Sequence, residues 1–214
     1  MLAQKIQKIK HGIDTVAKEP VTIVVATKTI NVDVIKQLPA LGINIAGENR
    51  AQELIEKQPQ VPGLEWHFIG QLQTNKVRQI IDKVSMIQSV DRMKLAAVIQ
   101  TEAERVGKVM DVLIEVNAGN EESKGGIELG QVEEFVKEVA KLPNLKIRGL
   151  MSVMPINADE NIYRQMRTLF ERLRERNDSI KYLSMGMSGD YLTAVKCGAN
   201  MIRLGSAIFG ERDL

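Results

Sequence analysis

The sequence has 214 residues, of which 44% are hydrophobic and 26% are charged, and we expect one globular domain spanning residues 1–214. Lys and Arg total 29 against 27 Asp and Glu, so the charge gives no reason to expect nucleic acid or an anionic membrane as a partner. One cysteine and two histidines exclude a disulfide framework within the chain and a Cys/His metal cage. We find no signal-peptide pattern and no apolar run near the roughly 20 residues of a membrane span, which predicts a cytoplasmic protein.

In chain order, the sequence begins with an amphipathic pattern and continues with eight short apolar runs. The first pattern places Ile6, Ile9, Ile13 and Val16 at helical spacing and predicts an N-terminal helix. The runs are rich in β-branched residues and are followed by Gly, Asn, Asp, Ser or Pro, which is typical of strands buried on both faces. The predicted strands are 22–27, 43–49, 65–70, 86–91, 111–117, 147–153, 182–187 and 201–206.

Segments with helical spacing separate these runs, most clearly 131–143 and 161–177. The segment 91–107 is expected to begin with a capping Asp91 and to end before Gly107. Alternating strands and helices predict a parallel sheet with helices outside it, and a doubly wound open sheet would also satisfy the pattern. Eight units in a short chain without linkers favour an α/β fold, a single (β/α)8 TIM barrel with an extra N-terminal helix.

In such a barrel the reactive groups gather at the C-terminal ends of the strands, and Lys28 follows the first predicted strand. An ammonium in a partly desolvated barrel mouth has a lowered pKa, which gives the free amine that condenses with a carbonyl. The alternative is an ordinary lysine whose stem covers apolar surface while its head reaches water.

The loops after the last two predicted strands have the composition of a phosphate site. Glycine-rich turns at this place in barrels often bind phosphate, and Ser188 and Ser206 add hydroxyl donors beside Gly205. Arg203 lies inside an otherwise apolar strand, where it either forms a structural ion pair or donates to a ligand. A lysine, a phosphate cradle and a buried arginine indicate a phosphorylated carbonyl compound, either pyridoxal phosphate (PLP) or a sugar phosphate in an aldolase.

The same strand ends carry motifs that are recognisable together. They are VATKTI at Lys28, AGENRAQE from Ala46, EWHFIGQLQTNK from Glu65, ESKGGIELG from Glu122, KIRGLMSVMP from Lys146, YLSMGMSGDY from Tyr182 and MIRLGSAIFGER from Met201. In these stretches the chain resembles the YggS/PROSC family of PLP homeostasis proteins, in order and over essentially the whole sequence. It is similar, more distantly, to the N-terminal barrel of bacterial alanine racemases.

The resemblance implies that Lys28 carries PLP as a Schiff base, that Arg203 donates to the pyridine nitrogen and that Asn49 lines the cofactor site. It places the phosphate against Ser188, Gly205 and Ser206. The resemblance implies no metal-binding residue.

Three other positions bear on the expected site. Some family members have a second lysine two residues after the first, and here that position is Ile30, which weakens any role for a back-up amine. Lys124 lies in a glycine-rich loop and is either a solvated lysine or a group that swings over the mouth. His67 is expected to be a hydrogen-bonded barrel residue rather than a catalytic base.

The arginine and the tyrosines of the sequence favour a carrier over a catalyst. An arginine cannot accept a proton, so the pyridine nitrogen is expected to stay unprotonated and the ring to be a weak electron sink. Racemases of this fold add a tyrosine base from a second domain, and we expect neither that domain nor such a tyrosine here. We therefore predict a monomeric protein that buffers PLP or delivers it to PLP-dependent apo-enzymes. The alternatives are a weak PLP-dependent amino-acid racemase and a cofactor-free Schiff-base aldolase.

Overall fold

The computed structural model describes residues 1–121 and 125–210, and its strands follow the apolar runs of the sequence. All eight predicted strands are present, and each begins within two residues of its predicted first residue. Its strands are β1 (Thr22–Ala26), β2 (Ile45–Glu48), β3 (Glu65–Phe68), β4 (Met86–Val90), β5 (Met110–Asn117), β6 (Ile127–Glu128), β7 (Leu145–Met151), β8 (Tyr182–Ser184) and β9 (Met201–Leu204).

Helices connect successive strands and cover the outside of the sheet. The α-helices are α1 (Leu2–Asp14), α2 (Val32–Ile35), α3 (Ala51–Lys57), α4 (Val77–Ile80), α5 (Met93–Arg105), α6 (Val132–Val139), α7 (Glu160–Arg176), α8 (Tyr191–Lys196) and α9 (Ser206–Phe209). Short 3-10 turns occupy Pro39–Leu41, Gln58–Gln60, Thr74–Lys76 and Leu129–Gln131. Within residues 1–121 and 125–210, no helix is long and apolar enough to cross a bilayer.

Eight of the strands close into a parallel barrel, as the sequence predicts. The strand order runs β4-β3-β2-β1-β9-β8-β7-β5, and the pairing of β4 with β5 closes the ring. The two-residue strand β6 pairs with the end of β5 outside the ring and was not predicted. The seventh predicted strand, 182–187, is shorter than expected: β8 ends at Ser184, and Gly186 has φ of +96°, which an extended strand does not allow.

The predicted N-terminal helix is confirmed as α1. It buries Ile6, Ile9 and Ile13, which lie one helical turn apart on one face, and packs against α8 and α9. Its apolar stripe therefore joins the layer between the barrel and its helices.

The predicted cap of α5 is wrong. The helix begins at Met93 with Arg92 in the capping position, and no side chain caps it. Asp91 instead pairs with the guanidinium of Arg92. A charge-assisted pair replaces the hydrogen bond that Asp91 would make to the first turn of the helix. The C-terminal end agrees with the sequence, because Gly107 follows with φ of +64°.

The barrel interior combines a small apolar cluster with buried polar side chains. The apolar cluster consists of Val24, Ile69, Met86, Leu113, Met151 and Met201. Most other buried apolar side chains lie between the strands and the surrounding helices. This arrangement leaves the C-terminal ends of the strands as the polar mouth of the barrel.

Candidate functional site

All six cofactor residues expected from the sequence lie around one cavity at the C-terminal end of the barrel. The cavity has a volume of about 580 Å³. Strands β1 and β9 and the segments that follow β1, β2, β3, β7, β8 and β9 supply the walls. The described lining residues are Ala26, Lys28, Asn49, Ile69, Val153, Met187, Ser188, Gly189, Arg203, Gly205 and Ser206. The volume falls within the roughly 300–1,000 Å³ of small-molecule sites.

Lys28 lies in a turn two residues beyond the end of β1. Its neighbour Thr27 is buried, whereas Lys28 and Thr29 are exposed. The expected desolvation of this lysine is therefore wrong, because the turn carries its side chain past the apolar end of the strand. Thr29 has φ of +63°, in the left-handed region that β-branched residues rarely adopt.

The predicted phosphate cradle is built from the loops after β8 and β9. The Ser188 hydroxyl oxygen accepts hydrogen bonds from the backbone N–H groups of Gly205 (3.2 Å) and Ala207 (3.0 Å). A hydroxyl that accepts two hydrogen bonds retains its own proton to donate. The two N–H groups converge on one oxygen, as they would on an oxygen of an anionic ligand.

Arg203 is buried in β9 and is held on two sides. Its Nη1 donates to the carbonyl (3.0 Å) and hydroxyl (2.7 Å) oxygens of Ser184, and its Nη2 donates to the carbonyl oxygen of Ser152 (2.9 Å). Burial lowers the pKa of Arg203 to about 10, while the nearby carboxylates of Glu115 and Asp190 act in the opposite direction. The guanidinium remains charged at neutral pH.

A chain of hydrogen bonds runs from Arg203 through the barrel interior. The Ser184 hydroxyl donates to Gln88 Oε1 (2.8 Å), and Gln88 Nε2 lies 2.9 Å from His67 Nδ1. His67 Nε2 in turn lies 3.2 Å from Glu65 Oε1. The expected role of His67 as a hydrogen-bonded barrel residue is confirmed, and the sequence did not reveal that it supports Arg203.

Glu115 is a mouth residue that the sequence analysis missed. Burial, with the neighbouring charge of Asp91, raises the pKa of Glu115 to about 7, and Arg203 and Arg92 partly offset this. A Cβ atom at Gly125 would lie 3.3 Å from Asp91 Oδ2 and 3.9 Å from Glu115 Oε1, so both carboxyl groups face that loop. The alternation of β5 was the available signal, because Glu115 shares the interior face of Leu113.

Some other side chains of these segments line the cavity, and others lie outside it. Met187 lines the cavity, whereas Met185 is fully buried in the outer core. Ile30 packs against that same outer core. Cys197 is buried at the end of α8. Lys124 lies outside the residues that the structure describes, and in the described ranges no group of three or more His, Cys, Asp and Glu could hold a metal ion.

Comparison with known sequences identifies the family. The sequence model of the family "Alanine racemase, N-terminal domain" matches residues 2–213. The chain is 44% identical to the PLP homeostasis protein of Aquifex aeolicus, over 87% of this chain and 85% of that protein. It is 35% identical to the protein of the same name from Escherichia coli K12, over 99% and 95% of the two chains.

Solved structures show the same fold. PipY of Synechococcus elongatus with PLP bound superposes with a TM-score of 0.86 at 28% identity, over 98% of this chain and 100% of PipY. An alanine racemase from Corynebacterium glutamicum gives a TM-score of 0.79 at 15% identity, over 100% of this chain but 61% of the racemase, and shows the fold alone. The chain therefore belongs to the family of pyridoxal phosphate homeostasis proteins, built on the alanine racemase N-terminal barrel.

Proposed function

We propose that this protein holds PLP as a Schiff base on Lys28 and buffers it or delivers it to PLP-dependent apo-enzymes, without strong catalysis. The convergence of Lys28, Arg203 and Ser188 on one cavity carries the proposal. An amine, a buried cation and an anion cradle match the aldehyde, ring nitrogen and phosphate of PLP in number and kind. The names of the homologues and the PLP bound to PipY support the same ligand.

Each residue has one task at the cofactor. Lys28 would hold PLP through its amine, a group that can condense with an aldehyde with loss of water. Ser188 would donate its hydroxyl proton to the phosphate, Ser206 would bring its backbone N–H group to it, and Gly205 holds Ser188 in place through its own N–H. Asn49, after β2, borders the same cavity and would line the cofactor site.

Arg203 limits what chemistry the bound cofactor can perform. PLP supplies an electron-withdrawing ring whose strength depends on protonation of its nitrogen. Arg203 stays charged at neutral pH because its pKa is about 10, so it donates a hydrogen bond and cannot accept the proton. An unprotonated ring is a weak electron sink, which favours a carrier.

A weak amino-acid racemase is the second candidate, and one observation favours it. The pKa of Glu115, at about 7, suits a carboxyl group for proton exchange at neutral pH. Against it, neither Glu115 nor any of the three tyrosines, Tyr163, Tyr182 and Tyr191, is among the described residues that line the cavity. Tyr163 donates its hydroxyl proton to Asp190 at 2.6 Å instead.

The absorption spectrum with added PLP tests the proposal. Wild-type protein should develop the visible band of a lysine Schiff base, and borohydride should fix the adduct on Lys28, located by peptide mass mapping. Lys28→Ala should lose both signals, whereas Lys36→Ala, which removes an exposed lysine on the next helical segment, should keep both. A colourless wild type, or a band that survives in Lys28→Ala, would refute the proposal.

Exchange and turnover separate the carrier from the enzyme. A carrier should restore activity to a PLP-free aminotransferase, and incubation with L-alanine should produce no D-alanine above the solvent control. D-alanine that depends on Glu115 would establish the racemase instead. For the oligomeric state, we expect light scattering to give the mass of a monomer. For the location, we expect recovery in the cytoplasmic fraction of cells.

A further inference from the structure

A buried ion-pair cluster lies directly behind the turn that carries Lys28. Lys57, at the end of α3, is 7% exposed. Its ammonium donates to Glu48 Oε1 (2.8 Å), to Glu53 Oε2 (2.6 Å) and to the backbone carbonyl oxygen of Thr27 (2.8 Å). These three hydrogen bonds use all three protons of the ammonium.

The same cluster holds the turn at a second point, on the other side of Lys28. Glu53 Oε2 accepts a hydrogen bond from the backbone N–H of Thr29 at 2.7 Å. Thr29 has φ of +63°, a conformation that a β-branched residue keeps only when its surroundings enforce it. The peptide groups before and after Lys28 are thus both bound to the Lys57 and Glu53 pair.

Glu48 completes the cluster beneath the turn. It is fully buried at the end of β2, and its Oε1 also accepts the hydroxyl proton of Thr27 at 2.7 Å. Burial raises the pKa of Glu48, and the hydrogen bonds from Lys57 and Thr27 partly compensate. Burial also acts to raise the pKa of Glu53, but the hydrogen bonds from Lys57 and Thr29 outweigh it and lower that pKa.

The cluster bears on Lys28 because of the backbone groups that its hydrogen bonds reach. A buried ion pair gives little net stability, because the desolvation of both charges offsets their attraction. Here two of its hydrogen bonds end on the backbone that flanks the exposed amine of the cavity, on Thr27 and Thr29. The cluster therefore fixes the direction in which Lys28 leaves the barrel.

We propose that Lys57 and Glu53 are positioning residues for Lys28: they clamp the strained 27–29 turn so that its amine points into the cavity at the distance a bound aldehyde requires. The inference rests on the proposed Schiff-base function. It predicts that loss of the clamp slows imine formation because the amine samples other directions.

The test measures the rate of Schiff-base formation after PLP is mixed with PLP-free protein, as a function of pH. Lys57→Met and Glu53→Ala should each slow the rate by about tenfold or more without moving the midpoint of its pH profile. Lys36→Met, which removes a lysine paired with Asp33 on the surface, is the matched control and should react like wild type.

A rescue variant distinguishes a clamp from a general contribution to folding. Glu53→Gln keeps a side-chain oxygen that can accept the Thr29 N–H, so it should retain most of the rate that Glu53→Ala loses. A contribution of the ion pair alone would be lost in both variants, since glutamine restores no ion pair. This comparison also decides the matter if Lys57→Met fails to fold, because Glu53 lies at the edge of the cluster.

The outcomes separate this inference from the proposed function. If wild-type protein forms no Schiff base, or Lys28→Ala still forms one, the proposed function fails. If wild type reacts but Glu53→Ala and Lys57→Met react within twofold of it, the clamp is refuted. A shifted pH midpoint in Lys57→Met, or a loss of rate in Glu53→Gln as large as that in Glu53→Ala, refutes positioning in favour of an electrostatic or a purely structural role.

Discussion

Replacing Glu115 by glutamine should make the protein less sensitive to rising pH. The carboxyl group has a pKa of about 7 in the folded protein against 4.5 for the unperturbed group. Since its folded pKa is the higher one, the folded state binds this proton more tightly, and its stabilising effect is present below pH 4.5 and lost as pH rises to about 7. The shift corresponds to about 3 kcal/mol, an upper bound because Glu115 keeps some contact with solvent.

The difference between variant and wild type isolates this group from the other carboxylates. Glu115→Gln should gain stability relative to wild type between pH 5 and pH 8, by up to about 3 kcal/mol, in urea unfolding followed by circular dichroism. Glu134→Gln, on the exposed face of α6, is the matched control and should show a difference that is independent of pH. A Glu115→Gln difference that is equally flat would refute the assignment of a raised pKa to this site.

Three further substitutions test the framework around the site by thermal unfolding. Gly149→Ala should prevent folding or lower the free energy of unfolding by several kcal/mol, because φ is +151° and a Cβ atom would overlap the carbonyl oxygen of Tyr182. A melting temperature equal to that of the wild type would contradict this. Tyr163→Phe removes the 2.6 Å hydrogen bond to Asp190 and should cost about 1–3 kcal/mol, with no loss if the bond is absent in solution. Ile9→Ala should cost about 2–5 kcal/mol if α1 is part of the core, and nothing if it is peripheral.

The strands were predictable because the barrel strands are mostly buried and read as apolar runs. The run TIVVA, for instance, coincides with β1. Strand β6 was not predictable, because two residues carry no periodicity. It pairs with the C-terminal end of β5. The cap at Asp91 failed for a related reason: the sequence shows the residue type and not the competing partner, which here is Arg92.

The cavity residues were predictable where strand ends determine their position, as for Lys28, Asn49 and Arg203. Lys57 was not, because a lysine on a short helix ordinarily points to solvent. Its burial depends on Glu48 of β2, which approaches it only after folding, as well as on Glu53 one turn away on α3. The left-handed Thr29 was also beyond sequence reasoning, since its residue type argues against that conformation.

The two halves of the proposed PLP site differ in how firmly the protein holds them, and that difference suits a carrier. Arg203 is fixed by Ser184 and Ser152 and, through Gln88 and His67, by a hydrogen-bond chain across the barrel. Lys28 is exposed, so water and competing amines would reach the imine carbon of the proposed Schiff base. Rigid noncovalent contacts set which ligand is bound, while an accessible covalent bond lets it leave by hydrolysis or by exchange with another amine. A catalyst gains from the opposite arrangement, a closed mouth that excludes water from the reacting bond.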